Sequence, residues 1–456
     1  MKNRQTQRFF DYWKKLTSGS TNRQILGAAI TVGIATALVK VAAVFKELVV
    51  AWKFGTADAL DAFLIALLVP AFITNVVGGS FNAALIPTYI KVREQEGTKA
   101  AQKLFSGVIV LSLALLLITT LFIVMTASLY LPRIATGFSA EKLGLTFQLL
   151  WAIAPTVVLS GIITLWSAVL NAGERFALAA VSPIITPAIS ILFLLLANSW
   201  GVFALVAGLV CGAVLEMIVV GAALHRQGIS LLPKWYGFDA HQREVANQYL
   251  PMIAGACLMC SAGLVDQSMA AMLSPGSVAA LNYGNRVTAL PINLTTTALS
   301  TAVMPYFAKM VGHQDWQSIR HTLKRYMGLV FAITVPLTVL LVVFSEPIIQ
   351  ILFQRGSFTA NDTQLVAQIQ SCLALQIPFY VANILVVRLI SSLQFNQILM
   401  WVSGYNLLIN VVLNYLLIQW IGIKGIALST SCVYVFCFFY LLSFIIRKIP
   451  KYNNVD

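Results

Sequence analysis

The sequence predicts an all-α polytopic membrane protein: about twelve transmembrane helices in two pseudo-symmetric six-helix lobes around a central cationic cavity. Three observations predict it. Of the residues, 59% are hydrophobic and only 10% charged, a balance outside the range of soluble globular domains. Apolar runs long enough to span a bilayer, roughly 20 residues each, recur along the whole chain. The second half also repeats landmarks of the first. Helices rather than a barrel follow because a helix satisfies its own backbone hydrogen bonds where lipid offers none.

The expected spans lie near 24–52, 59–88, 103–129, 143–171, 176–198, 201–224, 245–272, 279–308, 320–345, 361–390, 398–419 and 423–446. They group as a basic amphipathic arm (1–23), an N-terminal lobe (24–224), a cytoplasmic linker (225–244), a C-terminal lobe (245–446) and a cytoplasmic tail (447–456). In the arm, Phe9, Phe10, Tyr12 and Trp13 alternate with Arg8, Lys14 and Lys15, a pattern for a membrane surface. The apolar run after it is too long for a signal peptide.

Lysine and arginine fix the expected orientation, since they are retained in cytoplasmic loops. They crowd the N-terminal arm, the loop after the second span (Lys91, Arg93, Lys99, Lys103), the loop after the eighth (Lys309, Arg320, Lys324, Arg325) and the tail (Arg447, Lys448, Lys451). All are ends or even-numbered loops, so both termini are expected in the cytoplasm. The formal charge of +14 then reflects topology, and no nucleic-acid partner is expected.

The six cysteines fall within spans and form no disulfide framework, and the lone CxxC at Cys257 and Cys260 has no further ligands nearby. His225, His241, His313 and His321 lie in or beside loops without a nucleophile or carboxylate constellation. No catalytic residue, metal site or cofactor is therefore expected, and the absence of a nucleotide-binding loop argues against ATP hydrolysis. A glycan polymerase or ligase would need a large outer loop with acid, base or Arg/His pairs, and the odd loops here are short.

The repeat sets Gly55 and Pro70 of FGTADALDAFLIALLVP against Gly276 and Pro291 of PGSVAALNYGNRVTALP. GFSAE (137–141) faces SFTAN (357–361), and Gly201 faces Gly422. Six spans per half is an even number, so the halves share one orientation, and two such bundles about a central site are a transporter's architecture.

Charges inside spans sharpen this reading, because each costs about 2.5–3.5 kcal/mol on insertion scales unless it faces a cavity or a partner. Lys40 and Glu47 share a helix face, with Lys46 about 100° round from Glu47. Lys46 precedes Gly55 by nine residues, placing it about 13 Å from that end of the helix, and Arg286 lies at similar depth in the eighth span. Lys40, Lys46 and Arg286 are the candidate contacts for an anionic substrate, with Glu47, Asp266 and Asn285 as supporting polar groups. The alternative is packing pairs such as Lys46–Glu47 and Asp266–Arg286. Asp61, near the outer end of the second span, reads as a helix-capping or interface residue rather than a substrate contact, Arg388 as a snorkelling cation and Arg355 as a loop-ordering one.

FKELVVAWKFGTADALDAFLIALLVPAF with GGSFNAALIPTYI, SPGSVAALNYGNRVTALP with MPYFAKM, and LFQRGSFTANDT (352–363) resemble the MurJ (MviN) family of lipid II flippases. That family lies within the multidrug/oligosaccharidyl-lipid/polysaccharide (MOP) exporter superfamily, and the fold implied is MATE/MurJ-like. The resemblance covers nearly the whole chain. It implies alternating access in the inner membrane, moving the headgroup of a polyprenyl-diphosphate-linked glycan from cytoplasm to periplasm, with membrane lipids and cell-wall or polysaccharide assembly proteins as partners.

By position, the family's two first-helix arginines fall on Lys40 and Lys46, their acidic neighbour on Glu47, and the eighth-span arginine on Arg286. The second-helix arginine falls on Ile73 or Thr74, the acidic residue there on Gly78, and the acids flanking the eighth-span arginine on Asn285 and Ala289. Family members usually have fourteen helices where twelve are expected here. A Wzx-like exporter of an exopolysaccharide or O-antigen repeat unit, and a transport-inactive scaffold of a cell-wall assembly complex, therefore stand as alternatives.

Overall fold

A computed structural model describes residues 21–172, 176–231 and 233–448. Most of the basic arm and the end of the tail lie outside the described residues. Every expected span has a helix beneath it, within a few residues. The chain runs as α1 (Thr21–Phe54), α2 (Asp58–Ile73), a π turn (Thr74–Gly78) and α3 (Gly79–Glu96), then α4 (Thr98–Ile134), α5 (Ala140–Ile153) and α6 (Pro155–Ala172). The short α7 (Phe176–Val181) and a 3-10 turn (Ser182–Ile184) lead into α8 (Ile185–Leu196), followed by α9 (Val202–His225). The second half comprises α10 (Ala240–Ala271), α11 (Ser277–Gly312), α12 (Trp316–Val343) and the short α13 (Ser345–Phe353), then α14 (Ala360–Ala374), α15 (Ile377–Ser392), α16 (Asn396–Ile421) and α17 (Ile423–Lys448).

Among the described residues, ten helical segments are long and apolar enough to cross a membrane. The other two expected spans are α1 and α11, both of sufficient length. These are the helices that carry Lys40, Lys46 and Glu47, and Asn285 and Arg286, within their spans. Helix boundaries follow glycine where the backbone needs positive φ. Gly201 at φ 54, ψ −131 opens α9, and Gly422 at φ 61, ψ −139 separates α16 from α17. These two residues, matched by the repeat, hold the same unusual conformation.

The chain forms two compact units. Unit 1 comprises residues 1–50, 69–127 and 147–256, and unit 2 comprises 51–68, 128–146 and 257–456. The core of unit 1 joins α3 (Phe81, Leu85, Tyr89), α4 (Leu104, Phe105, Leu116), α6 (Leu165, Leu170) and α9 (Val220, Leu224). In lipid, where tails are as apolar as leucine, close packing rather than water exclusion holds such helices together. Phe81 accordingly stacks on Tyr249 at 3.9 Å between ring centres. At one end of the unit, Lys91 pairs with Glu244 at 3.1 Å and His241 Nε2 meets Glu96 Oε1 at 2.8 Å. The second contact supplies His241 with a carboxylate that the sequence had not disclosed, because its partner is far away along the chain. The core of unit 2 joins α11 (Val303, Phe307), α12 (Ile319, Leu323), α15 (Val381, Leu385, Leu389) and α17 (Phe438, Leu441, Ile445).

Candidate functional site

Four groups of polar residues stand out within the two units. In unit 1, Lys46 Nζ lies 3.0 Å from Glu47 Oε1 on α1, both side chains partly accessible. Of the packing pairs anticipated for α1, this one forms. Lys40, six residues earlier, is exposed. The positions aligned with the family's second-helix charges fall at the π turn. Ile73 and Thr74 sit at its start, where Thr74 Oγ1 donates to the Pro70 carbonyl at 2.9 Å, and Gly78 closes it, where an added Cβ would lie in ordinary van der Waals contact with Thr164. Pro70 lacks an N–H and disturbs the hydrogen-bond ladder here, and π turns mark such breaks.

In unit 2, Asp61 is 1% exposed and takes three donors: the Gly276 N–H at 2.7 Å, the Ala279 N–H at 2.8 Å and Lys142 Nζ at 2.9 Å. Its carboxylate caps the first turn of α11, where unsatisfied N–H groups and the helix dipole favour negative charge. The capping role expected of Asp61 is thus observed. Lys142 also reaches Asp58 at 2.5 Å and lies 4.1 Å from the centre of the Phe138 ring.

Around this cluster the chain closes on itself through backbone contacts that exclude a Cβ atom. A Cβ on Gly55 would sit 2.3 Å from the Ser357 carbonyl oxygen, and one on Gly276 would sit 2.6 Å from that of Thr56. Gly356 meets Trp52 and Gly137 meets Ala271 and Met272 in the same manner, an exchange that mirrors the sequence repeat. Ser357 N donates to Trp52 O at 2.9 Å, Tyr283 Oη donates to Gly55 O at 3.1 Å, and Thr56 Oγ1 bonds Asp362. Thr359 of the SFTAN motif and Asp362 just after it form a reciprocal capping box at the start of α14. Arg355 donates to Ile351 O at 2.7 Å, covering a carbonyl in the last turn of α13.

Asp266 on α10 does not pair with Arg286. Its Oδ1 accepts from Asn410 Nδ2 at 3.0 Å and Asn414 Nδ2 at 2.7 Å, both on α16, and its Oδ2 accepts from Thr430 Oγ1 on α17 at 3.2 Å. The buried Asn414 Oδ1 receives no hydrogen bond. Carboxylate, amide and hydroxyl oxygens are the ligand chemistry of a small hard cation, so this cluster could hold one if the Asn410 and Asn414 amides and the Thr430 hydroxyl, which here donate to Asp266, turned their oxygens to it. Among the described residues no group of three or more His, Cys, Asp or Glu side chains comes together. Asp266, Asn410 and Thr430 line a cavity of about 690 Å³ that also reaches Tyr380, Asn406 and Arg388. Asn410 and Asn414, four apart in an apolar span, were the sequence signal for this site.

Arg286 and Asn285 lie exposed on α11 beside the buried Val287 and Thr288, and Arg286 Nε donates to Asn282 Oδ1 at 3.3 Å. An exposed guanidinium within an expected span, ten residues into α11, calls for water or an anion beside it rather than lipid.

Comparison with known proteins agrees with this architecture. A family model described as lipid II flippase MurJ matches residues 50–454. A probable lipid II flippase MurJ of Synechocystis is 27% identical over 436 residues, covering 92% of this chain and 81% of that protein. One of Rhizobium tropici is 30% identical over 364 residues, covering 77% and 68%. Among solved structures, a lipid II flippase MurJ in an inward closed conformation aligns with TM-score 0.80 at 24% identity, covering 92% of this chain and 88% of that one. An inward-facing MATE transporter of the MOP superfamily aligns with TM-score 0.74 at 13% identity, covering 92% and 98%. The fold is therefore that of MurJ and MATE transporters, the protein is a multi-pass membrane protein, and the chain belongs to the MurJ lipid II flippase family.

Proposed function

We propose that this chain is a flippase that carries a polyprenyl-diphosphate-linked glycan precursor from the cytoplasmic to the periplasmic leaflet of the bacterial inner membrane by alternating access. Lipid II, the substrate in the names of its relatives, is the cargo this reading favours. The observation that carries it is the exposure of Arg286 within a span of a chain that belongs to this family. Cation chemistry at such a position suits a diphosphate: guanidinium grips phosphate in a bidentate fashion, and Lys40 and Lys46 add point charges. On this reading Lys40, Lys46 and Arg286 contact the diphosphate, while Glu47 orients Lys46 and Asn285 flanks the headgroup. Asp266 serves unit 2 through its own oxygen cluster rather than through Arg286. The chain works as a transporter without catalysing a reaction, both termini lie in the cytoplasm, and cell-wall assembly proteins receive the cargo.

The test is complementation of a flippase-depleted strain with variants at equal membrane abundance. Lys46→Ala and Arg286→Ala should fail to support growth, whereas Lys46→Arg, which restores the family's residue type, should succeed. Full growth with both alanine variants would sink the assignment of Lys46 and Arg286 to the substrate, whereas failure of the wild-type chain itself to support growth would favour the scaffold role.

A further inference from the structure

Unit 1 holds a second buried carboxylate, and it lies away from every group discussed so far. Glu216 on α9 is 7% exposed. Its Oε2 accepts from Thr186 Oγ1 at 2.9 Å, and its Oε1 faces Ser182 Oγ at 3.5 Å. Gly208, Gly212 and Glu216 are spaced by four and so share one face of α9. The facing strip of α8 and the turn before it presents Ser190, Thr186 and Ser182 in the reverse order, again spaced by four. At the first two steps the backbones touch: a Cβ on Gly208 would lie 2.5 Å from Ser190 Cα, and one on Gly212 would lie 2.7 Å from Thr186 Cα. This is the small-residue packing by which membrane helices approach closely, and Glu216 stands at its third step.

The helix opposite is broken at this level. Pro183 and Pro187 remove two N–H donors, and the segment splits into α7, the 3-10 turn at Ser182–Ile184, and α8. Interrupted helices in membranes commonly line ion sites. Of the elements packed against α9, α6, the 182–184 turn, α8 and the 198–200 turn carry no titratable side chain. The others, α3 and α4, meet α9 through Val220 and Leu224 and direct Lys91 to Glu244, Arg93 to the Ala172 carbonyl, Lys103 to the Tyr236 ring and Arg133 to the Leu129 carbonyl, with Lys99 exposed. On α9 itself Cys211 points to the exposed surface, and His225 lies at the far end of the helix. No cation therefore faces Glu216 from these elements, and a carboxylate so placed avoids the cost of its charge by taking a proton.

We propose that Glu216 is a proton-binding site of unit 1, separate from the oxygen cluster at Asp266, and that its occupancy decides whether α8 and α9 stay zipped. The proton comes from solvent and returns to it, and no other bond changes. When protonated, the carboxyl hydrogen-bonds across to Ser182 and Thr186 and the glycine contacts close. When the proton leaves, the carboxylate needs water, so the helix pair opens at this step. The ligand is a proton rather than a metal ion because the backbone contacts at Gly208 and Gly212 leave no space there for an ion with its own shell of oxygens.

The test is infrared difference spectroscopy of the full-length purified protein in lipid nanodiscs, with pH stepped between 5 and 9 in sodium-free buffer. A protonated-carboxyl band is expected that bleaches reversibly as pH rises, is lost in Glu216→Gln, and is unmoved by added sodium chloride. Thr186→Val should keep the band and shift its frequency, which covers the case in which Glu216→Gln fails to fold. Three results would each overturn the proposal: no band that depends on Glu216 or Thr186, a band that never bleaches, showing a fixed packing contact, or a band displaced by sodium at constant pH, showing a metal-ion site.

Discussion

Removing the Asp61 carboxylate should cost unit 2 more stability than any surface change, and the size of that cost follows from its three partners. Asp61→Ala leaves the Gly276 and Ala279 N–H groups without their acceptor and Lys142, whose side chain is 9% exposed, without its buried counter-ion. Breaking one side of a buried pair costs about 3–5 kcal/mol. Asp58 compensates little, because its side chain is 57% exposed and exposed pairs contribute about 0.2–1 kcal/mol. Lys142→Ala leaves Asp61 with both backbone donors and should cost less. A double-mutant cycle isolates the pair, with a coupling of about 2–3 kcal/mol expected for groups in one network. The assay is reversible unfolding in mixed micelles followed by tryptophan fluorescence. An Asp61→Ala cost below about 1 kcal/mol, or single effects that add within about 0.5 kcal/mol, would refute the view that this carboxylate organises the start of α11.

Glycines give a graded prediction. Gly201→Ala and Gly422→Ala meet no neighbouring atom and pay only for a positive φ combined with a strongly negative ψ, so each should destabilise by about 1–3 kcal/mol and by nearly equal amounts. Gly55→Ala adds an overlap with the Ser357 carbonyl and should cost clearly more in the same unfolding assay. At the oxygen cluster, Asp266→Ala leaves the Asn410, Asn414 and Thr430 donors without their acceptor; a loss of about 2–4 kcal/mol is expected, smaller in Asp266→Asn, which keeps an acceptor oxygen.

Much of this architecture was legible because helix length and punctuation are local properties. Runs of apolar residues set the spans, and Gly55, Gly201, Gly276 and Gly422 marked their ends, since glycine takes the positive φ found at all four without a Cβ penalty. Asp61 was readable as a cap from its place near a helix start, but which helix it caps was not: its partners at Lys142, Gly276 and Ala279 come from distant parts of the sequence. The sequence could not disclose Lys142 as the partner of Asp61, because charge counting carries no distances. The Asp266 cluster was missed in part because Asn410, Asn414 and Thr430 are neutral and register in hydropathy merely as dilution. Glu216 escaped notice for a related reason, since one acid in a strongly apolar helix hardly alters its average. The π turn after Pro70 depends on how the chain resolves a missing hydrogen bond, which residue type does not dictate.

The central claim, that a cation on α11 handles a lipid-linked diphosphate, is tested most directly by measuring lipid II in the cytoplasmic leaflet of cells depleted of this protein. The account predicts that lipid II accumulates there, that the wild-type chain clears it, and that Arg286→Ala at equal abundance does not. An unchanged lipid II pool on depletion, or clearance by Arg286→Ala at the wild-type rate, would contradict it.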